Sequence, residues 1–134
     1  MIRQNIQLAD AAKEAGIVDA GDYATFQDYG YQGLYGGLKL KDVHRQKGLG
    51  KGQKLVDYIG STELAANLFR TTQTEDKLRR DEVKWKKKAY QMHYEVGTTV
   101  RRTIEELGGV MPENLPAVES IKKIEEKEKL LDKK

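Results

Sequence analysis

Lys47, Lys51 and Lys54 stand four and three residues apart in Lys47-Gly48-Leu49-Gly50-Lys51-Gly52-Gln53-Lys54, a basic stretch interrupted by three glycines. Glycine lets the backbone turn several amides toward one point, and amides beside ammonium groups make a cradle for an anion. One phosphate of a nucleic-acid backbone fits such a cradle. Nucleotide hydrolysis does not fit it, because the Gly-x-x-x-x-Gly-Lys-Ser/Thr spacing is missing and nothing strand-like precedes it. The elbow belongs to a wider cluster. From Lys39 to Lys54 six Lys or Arg (Lys39, Lys41, Arg45, Lys47, Lys51, Lys54) face one Asp, for a local charge of +5.

A second cluster, Lys77 to Lys88, sets seven basic residues (Lys77, Arg79, Arg80, Lys84, Lys86, Lys87, Lys88) against Asp81 and Glu82, again +5. The chain as a whole carries only +3, so its charge is unevenly spread. Such clusters are either a footprint for a polyanion or ordinary solvated helix faces. Aromatic residues adjoin both. Tyr29, Tyr31 and Tyr35 lie in a glycine-rich stretch, where they can stack unpaired bases or form a packing corner with hydroxyls reaching backbone. Trp85, among lysines, can stack too, but its place on an apolar stripe points first to core or interface.

Other chemistries find little support. There is no cysteine, which removes disulfides, thiolate catalysis and most structural zinc sites. His44 and His93 are far apart and lack metal-ligand spacing: His44 reads as a surface or capping residue, His93 as a partly buried, hydrogen-bonded one. Ser61 and Ser120 are the only serines and both stand at helix starts, so no nucleophile is indicated. No metal and no cofactor is expected. Apolar runs are a few residues long, and the N-terminus lacks a signal-peptide core, so no membrane is expected and a cytoplasmic location is the default.

These residues must be positioned by helices. Two prolines in 134 residues, abundant Lys, Glu, Ala, Leu and Gln, and no alternating β-branched runs predict an all-α fold, a small multi-helix bundle. Residues 1–116 read as one helical domain: short helices to residue 60, long helices over 61–107, and a loop over 108–116. Residues 117–134 read as a charged C-terminal helix or tail. Helix 1 is expected from Arg3 to Ala15, closed by Gly16. Asp22 is expected to cap the next helix, and the glycines at 30, 33, 36 and 37 to weaken any helix there and to allow close packing of backbone on aromatic rings. Short helices over Val43–Lys47, capped by Asp42, and Lys51–Ile59 would make a helix-turn-helix outline. Ser61 or Thr62 caps a helix with Glu63 against its dipole, Leu64 and Leu68 inward with Ala65 and Phe69 beside them, and a break or kink near Thr72–Glu75. Trp85, Ala89, Met92, Val96, Val100, Ile104 and Leu107 mark a long amphipathic helix, stopped at Gly108-Gly109. The long helices either pack antiparallel or continue through a kink.

Several segments carry a resemblance: Gly30-Tyr31-Gln32-Gly33-Leu34-Tyr35, Asp42 through Leu49, Gly60 through Arg70, Thr72-Gln73-Thr74-Glu75, and Thr103 through Gly109 with Met111-Pro112-Glu113. Together they make the chain similar to the C-terminal region of the DNA-damage-inducible protein D family. The resemblance covers residues 3 to 116. It implies a bacterial, cytoplasmic protein of the DNA-damage response, acting on recombination rather than catalysing a reaction. It also implies a preceding N-terminal domain of the baculovirus-repeat type, absent from these residues, so a C-terminal fragment or a short relative is expected. The resulting reading is a non-enzymatic interaction module modulating the recombinase filament on single-stranded DNA, with Lys47, Lys51, Lys54, Arg79, Arg80, Lys86 and Lys87 as partner-binding residues. The alternatives are direct, sequence-independent DNA binding by the same clusters, and a homodimer formed through the Trp85–Leu107 stripe to serve the missing N-terminal DNA reader.

Overall fold

A computed structural model of the chain describes residues 2–118; the expected C-terminal helix lies outside them apart from its first two residues. The fold is all-α. Helix α1 spans Ile2–Glu14, α2 Ala20–Leu34, α3 Leu40–Gln46, α4 Ser61–Arg80 and α5 Lys86–Glu106, with 3-10 turns at Leu55–Asp57 and Pro112–Asn114. None of the described helices is long and apolar enough to cross a membrane.

Leu8, Ala11 and Ala12 of α1 and Ala15 just after it continue one helical spacing and are all buried. Gly16, at φ +98°, closes the helix as expected. The cap of α2 is Asp19, whose carboxylate accepts from the Asp22 amide at 2.7 Å, rather than Asp22 itself. Helix α2 then runs unbroken through Gly30 and Gly33. The glycines there serve helix contact, not helix breaking: Gly30, Gly33 and Gly97 of α5 face one another so closely that the two backbones touch. Asp22 meets Lys86, Phe26 meets His93, and the Leu34 carbonyl meets Arg101, so α2 and α5 run parallel.

The helix-turn-helix outline is not formed. Residues Lys51–Ile59 hold only the 3-10 turn, because Gly48 and Gly52 take left-handed φ values of +74° and +86° and turn the chain. Side chains hold this loop instead: Gln53 Oε1 accepts from the Gly50 amide at 2.6 Å, and the Gln53 carbonyl accepts from His44 Nε2–H at 2.7 Å. Asp42 acts from the third position of α3, accepting from the Lys39 amide at 3.1 Å, so the cap position belongs to Lys39.

Gly60, not Ser61 or Thr62, occupies the cap of α4. The helix passes residues 72–75 without a break: the Thr71 and Thr74 hydroxyls bond back to the carbonyls of Asn67 and Arg70 at 2.8 and 2.7 Å, inside the helix. A turn with Glu82 in the left-handed region (φ 47°) reverses the chain into α5. The apolar core has two parts. One gathers Leu8, Ala11, Ala12, Ala15, Ile17, Phe26, Leu78, Val83, Ala89 and Met92; the other Leu34, Tyr35, Val43, Leu55, Ile59, Ala66 and Val100. The end of α4 thus packs on the start of α5 and its beginning on the far half of α5, which makes the pair antiparallel.

Candidate nucleic-acid interface

The inward face of α4 differs from the expected Leu64–Leu68 line. Glu63, Asn67, Arg70, Thr71 and Thr74 are buried, whereas Ala65 is exposed and Phe69 is 55 % exposed. These polar groups form a continuous chain of hydrogen bonds. Lys47 Nζ donates to Glu63 Oε1 at 2.7 Å, to the Pro112 carbonyl at 2.8 Å and to the Leu115 carbonyl. The Tyr35 hydroxyl donates to Glu63 Oε2 at 2.5 Å and accepts from Asn67 Nδ2 at 3.0 Å. Asn67 Oδ1 accepts from Arg70 at 3.2 Å; Arg70 Nη1 donates to His93 Nε2 at 2.6 Å; and His93 Nδ1–H donates to the Phe26 carbonyl at 2.8 Å. The Arg70 guanidinium also lies 4.7 Å from the centre of the Tyr31 ring.

Burial, and then the Glu63 charge, drive the Tyr35 hydroxyl well above the ordinary tyrosine range, so it is a permanent donor. Burial first, and the Arg70 guanidinium second, hold the His93 ring well below its ordinary 6.5. The neutral ring is what the geometry needs, since Nε2 must accept from Arg70. An unfolded chain takes up a proton below about pH 6.5 that the folded chain refuses, so stability is intact above that pH and falls beneath it, by ~1.4 kcal/mol per pH unit. Urea midpoints between pH 7.5 and 5 check this, and His93→Gln removes that component of the slope.

The expected site residues divide sharply. Lys47 turns inward, its side chain 2 % exposed and fully engaged, so it is a structural cation and leaves the partner-binding set. Arg79 pairs with Glu75 at 2.7 Å and approaches Glu14 at 3.9 Å; Arg80 pairs with Asp76; Lys86 reaches Asp22 at 3.2 Å. Lys51, Lys54, Lys84, Lys87 and Lys88 are exposed and enter no ion pair among the described residues. Nor do the two clusters merge into one patch. They lie toward opposite ends of α1: Asn5 lines a cavity with Lys41 and Lys54, whereas Glu14, about 14 Å further along the helix, meets Arg79.

Trp85 is 73 % exposed at the start of α5, on the turn that carries Lys84, Lys86, Lys87 and Lys88. The stripe that follows it is spent within the chain: Ala89, Met92 and Val100 are buried, leaving Trp85 and Leu107 exposed at its two ends. Two residues escape a reading of the sequence, Tyr90 and Tyr94, which lie with Lys87 and Gln91 on the opposite side of α5. The spacing 87, 90, 91, 94 was the available signal. Among the described residues no group of three or more His, Asp or Glu is placed to hold a metal ion.

Fold and surface together define a small all-α domain with a charged core and a lysine-rich turn bearing an exposed indole. The chain belongs to the DinD C-terminal domain family, whose model matches residues 1–124. It is similar to DNA damage-inducible protein D of Escherichia coli (strain K12), with 57% identity over 131 residues, 97% of this chain and 48% of that protein. The chain therefore spans about half the length of this curated relative. No solved structure matches it.

Proposed function

We propose that this region is a non-enzymatic interaction module of the bacterial DNA-damage response, one that modulates the recombinase filament on single-stranded DNA. The name of the related protein supports the response. The contact is the α4–α5 turn, and the observation that carries it is Trp85, 73 % exposed amid lysines of which Lys84, Lys87 and Lys88 have no carboxylate partner among the described residues. An indole in that setting stacks on a base or enters a partner's pocket, while the ammonium groups meet phosphates or an acidic surface. A dimer through the Trp85–Leu107 stripe is disfavoured, since that stripe already packs inside the bundle.

Trp85→Ala removes a side chain that is 73 % exposed, so stability is expected to stay within about 0.5 kcal/mol. Binding to a recombinase-coated single strand is expected to weaken about tenfold or more, as loss of an anchoring tryptophan commonly does. The emission of this sole tryptophan reports the contact in the unaltered chain. Equal binding by Trp85→Ala would remove the turn from the interface.

A further inference from the structure

We infer that the face shared by α2 and α5 holds unpaired bases of single-stranded nucleic acid in a tyrosine-lined groove; the choice of ligand rests on the function proposed above. A depression of about 590 Å³ is lined by Tyr29 and Gln32 of α2 and by Lys87, Tyr90, Gln91 and Tyr94 of α5. Tyr29 and Tyr90 stack with their centres 5.1 Å apart and their planes within 10°, and Tyr29 and Tyr94 remain 37 % and 41 % exposed. The groove continues past Tyr29 and Gln32 into a second depression of about 320 Å³ that ends at Lys39.

The groove therefore joins the two basic clusters that are separated along α1. Lys87 of the second cluster stands at one end and Lys39 of the first at the other, with the tyrosines between them. Neither lysine has an ion-pair partner among the described residues. Of the carboxylates nearby, Asp22 is paired with Lys86 at 3.2 Å, whereas Asp28, which lines the second depression, and Glu95 accept from the neutral Leu40 and Gln91 amides at 3.1 Å and keep their charge, so the two lysines supply the attraction for phosphates. Flat faces for bases, cations for phosphates and side-chain amides for base edges are what a single strand asks of a surface, with little sequence preference. A duplex, its bases already stacked, leaves the tyrosine faces unused.

The test is fluorescence anisotropy of labelled dT20 and of a 20-base-pair duplex with the purified 134-residue chain at low salt. Binding of dT20 that weakens as salt rises, exceeds duplex binding, and falls about five- to a hundredfold in Tyr29→Ala and Tyr94→Ala supports the groove. Thermal melts of both variants confirm that they fold, and Tyr94→Phe should bind as the parent does. Undetectable dT20 binding, equal affinity for duplex, or folded tyrosine variants that bind unchanged would each overturn it. The two readings separate cleanly: dT20 bound without any effect on a filament leaves the groove standing and sinks the proposed function, and the reverse result does the opposite.

Discussion

Glu63→Ala is expected to lower the unfolding free energy by about 3–5 kcal/mol, because it leaves the Lys47 ammonium buried without its counter-charge. The carboxylate is 1 % exposed and receives both Lys47 and the Tyr35 hydroxyl, so its removal cuts Lys47 off from the rest of the polar chain. Against a total stability of roughly 5–15 kcal/mol, this is the difference between a folded and a marginal domain. Lys47→Ala should cost a similar amount by stranding Glu63. The double variant should cost less than the two single losses added together, since neither charge then remains alone. Urea titrations of the three variants check this. Additive losses would mean that the pair does not act as a unit.

Gly97→Ala carries the second large effect. A methyl group there would stand 2.7 Å from the Gly30 carbonyl, 2.9 Å from the Leu34 amide and 3.0 Å from the Gly33 Cα, all backbone atoms that no rotamer change can move aside. In an isolated helix the same change would stabilise by ~1 kcal/mol. Here overpacking dominates, and a net loss of about 1–3 kcal/mol is expected as α2 and α5 are forced apart. The groove is built from these same two helices, so its distortion should accompany the loss. A melting temperature equal to or above the parent's would show that the helices do not meet as closely as described.

The periodicity of apolar residues made the helices legible, and α1, α4 and α5 fall within a few residues of expectation. Their faces were less legible. Leu64 packs, half-buried, on the second core cluster as expected, but Glu63, Asn67 and Arg70 hold the most buried line of α4, because their partners Tyr35, Lys47 and His93 come from other elements. Local sequence spacing carries no information about such pairings, and charged residues are by default read as solvated. Gly30 and Gly33 were half legible: they do let backbone pack on an aromatic ring, that of His93, but they do not weaken the helix, and their partners His93 and Gly97 lie more than sixty residues on. In the glycine-lysine elbow, Lys47 showed its charge in the sequence but not its direction. The indole of Trp85, conversely, continued an apolar stripe on paper and stands in solvent because α5 begins just after it.

The proposed function is read out most directly on a recombinase filament. The lifetime of a recombinase filament on single-stranded DNA, measured with the 134-residue chain and with its folded Trp85→Ala and Lys87→Glu variants, shows whether the lysine-rich turn acts on such a filament. The parent chain is expected to change that lifetime, and both variants to leave it close to the value without added protein. A lifetime unmoved by the parent chain, or moved equally by all three, would contradict it.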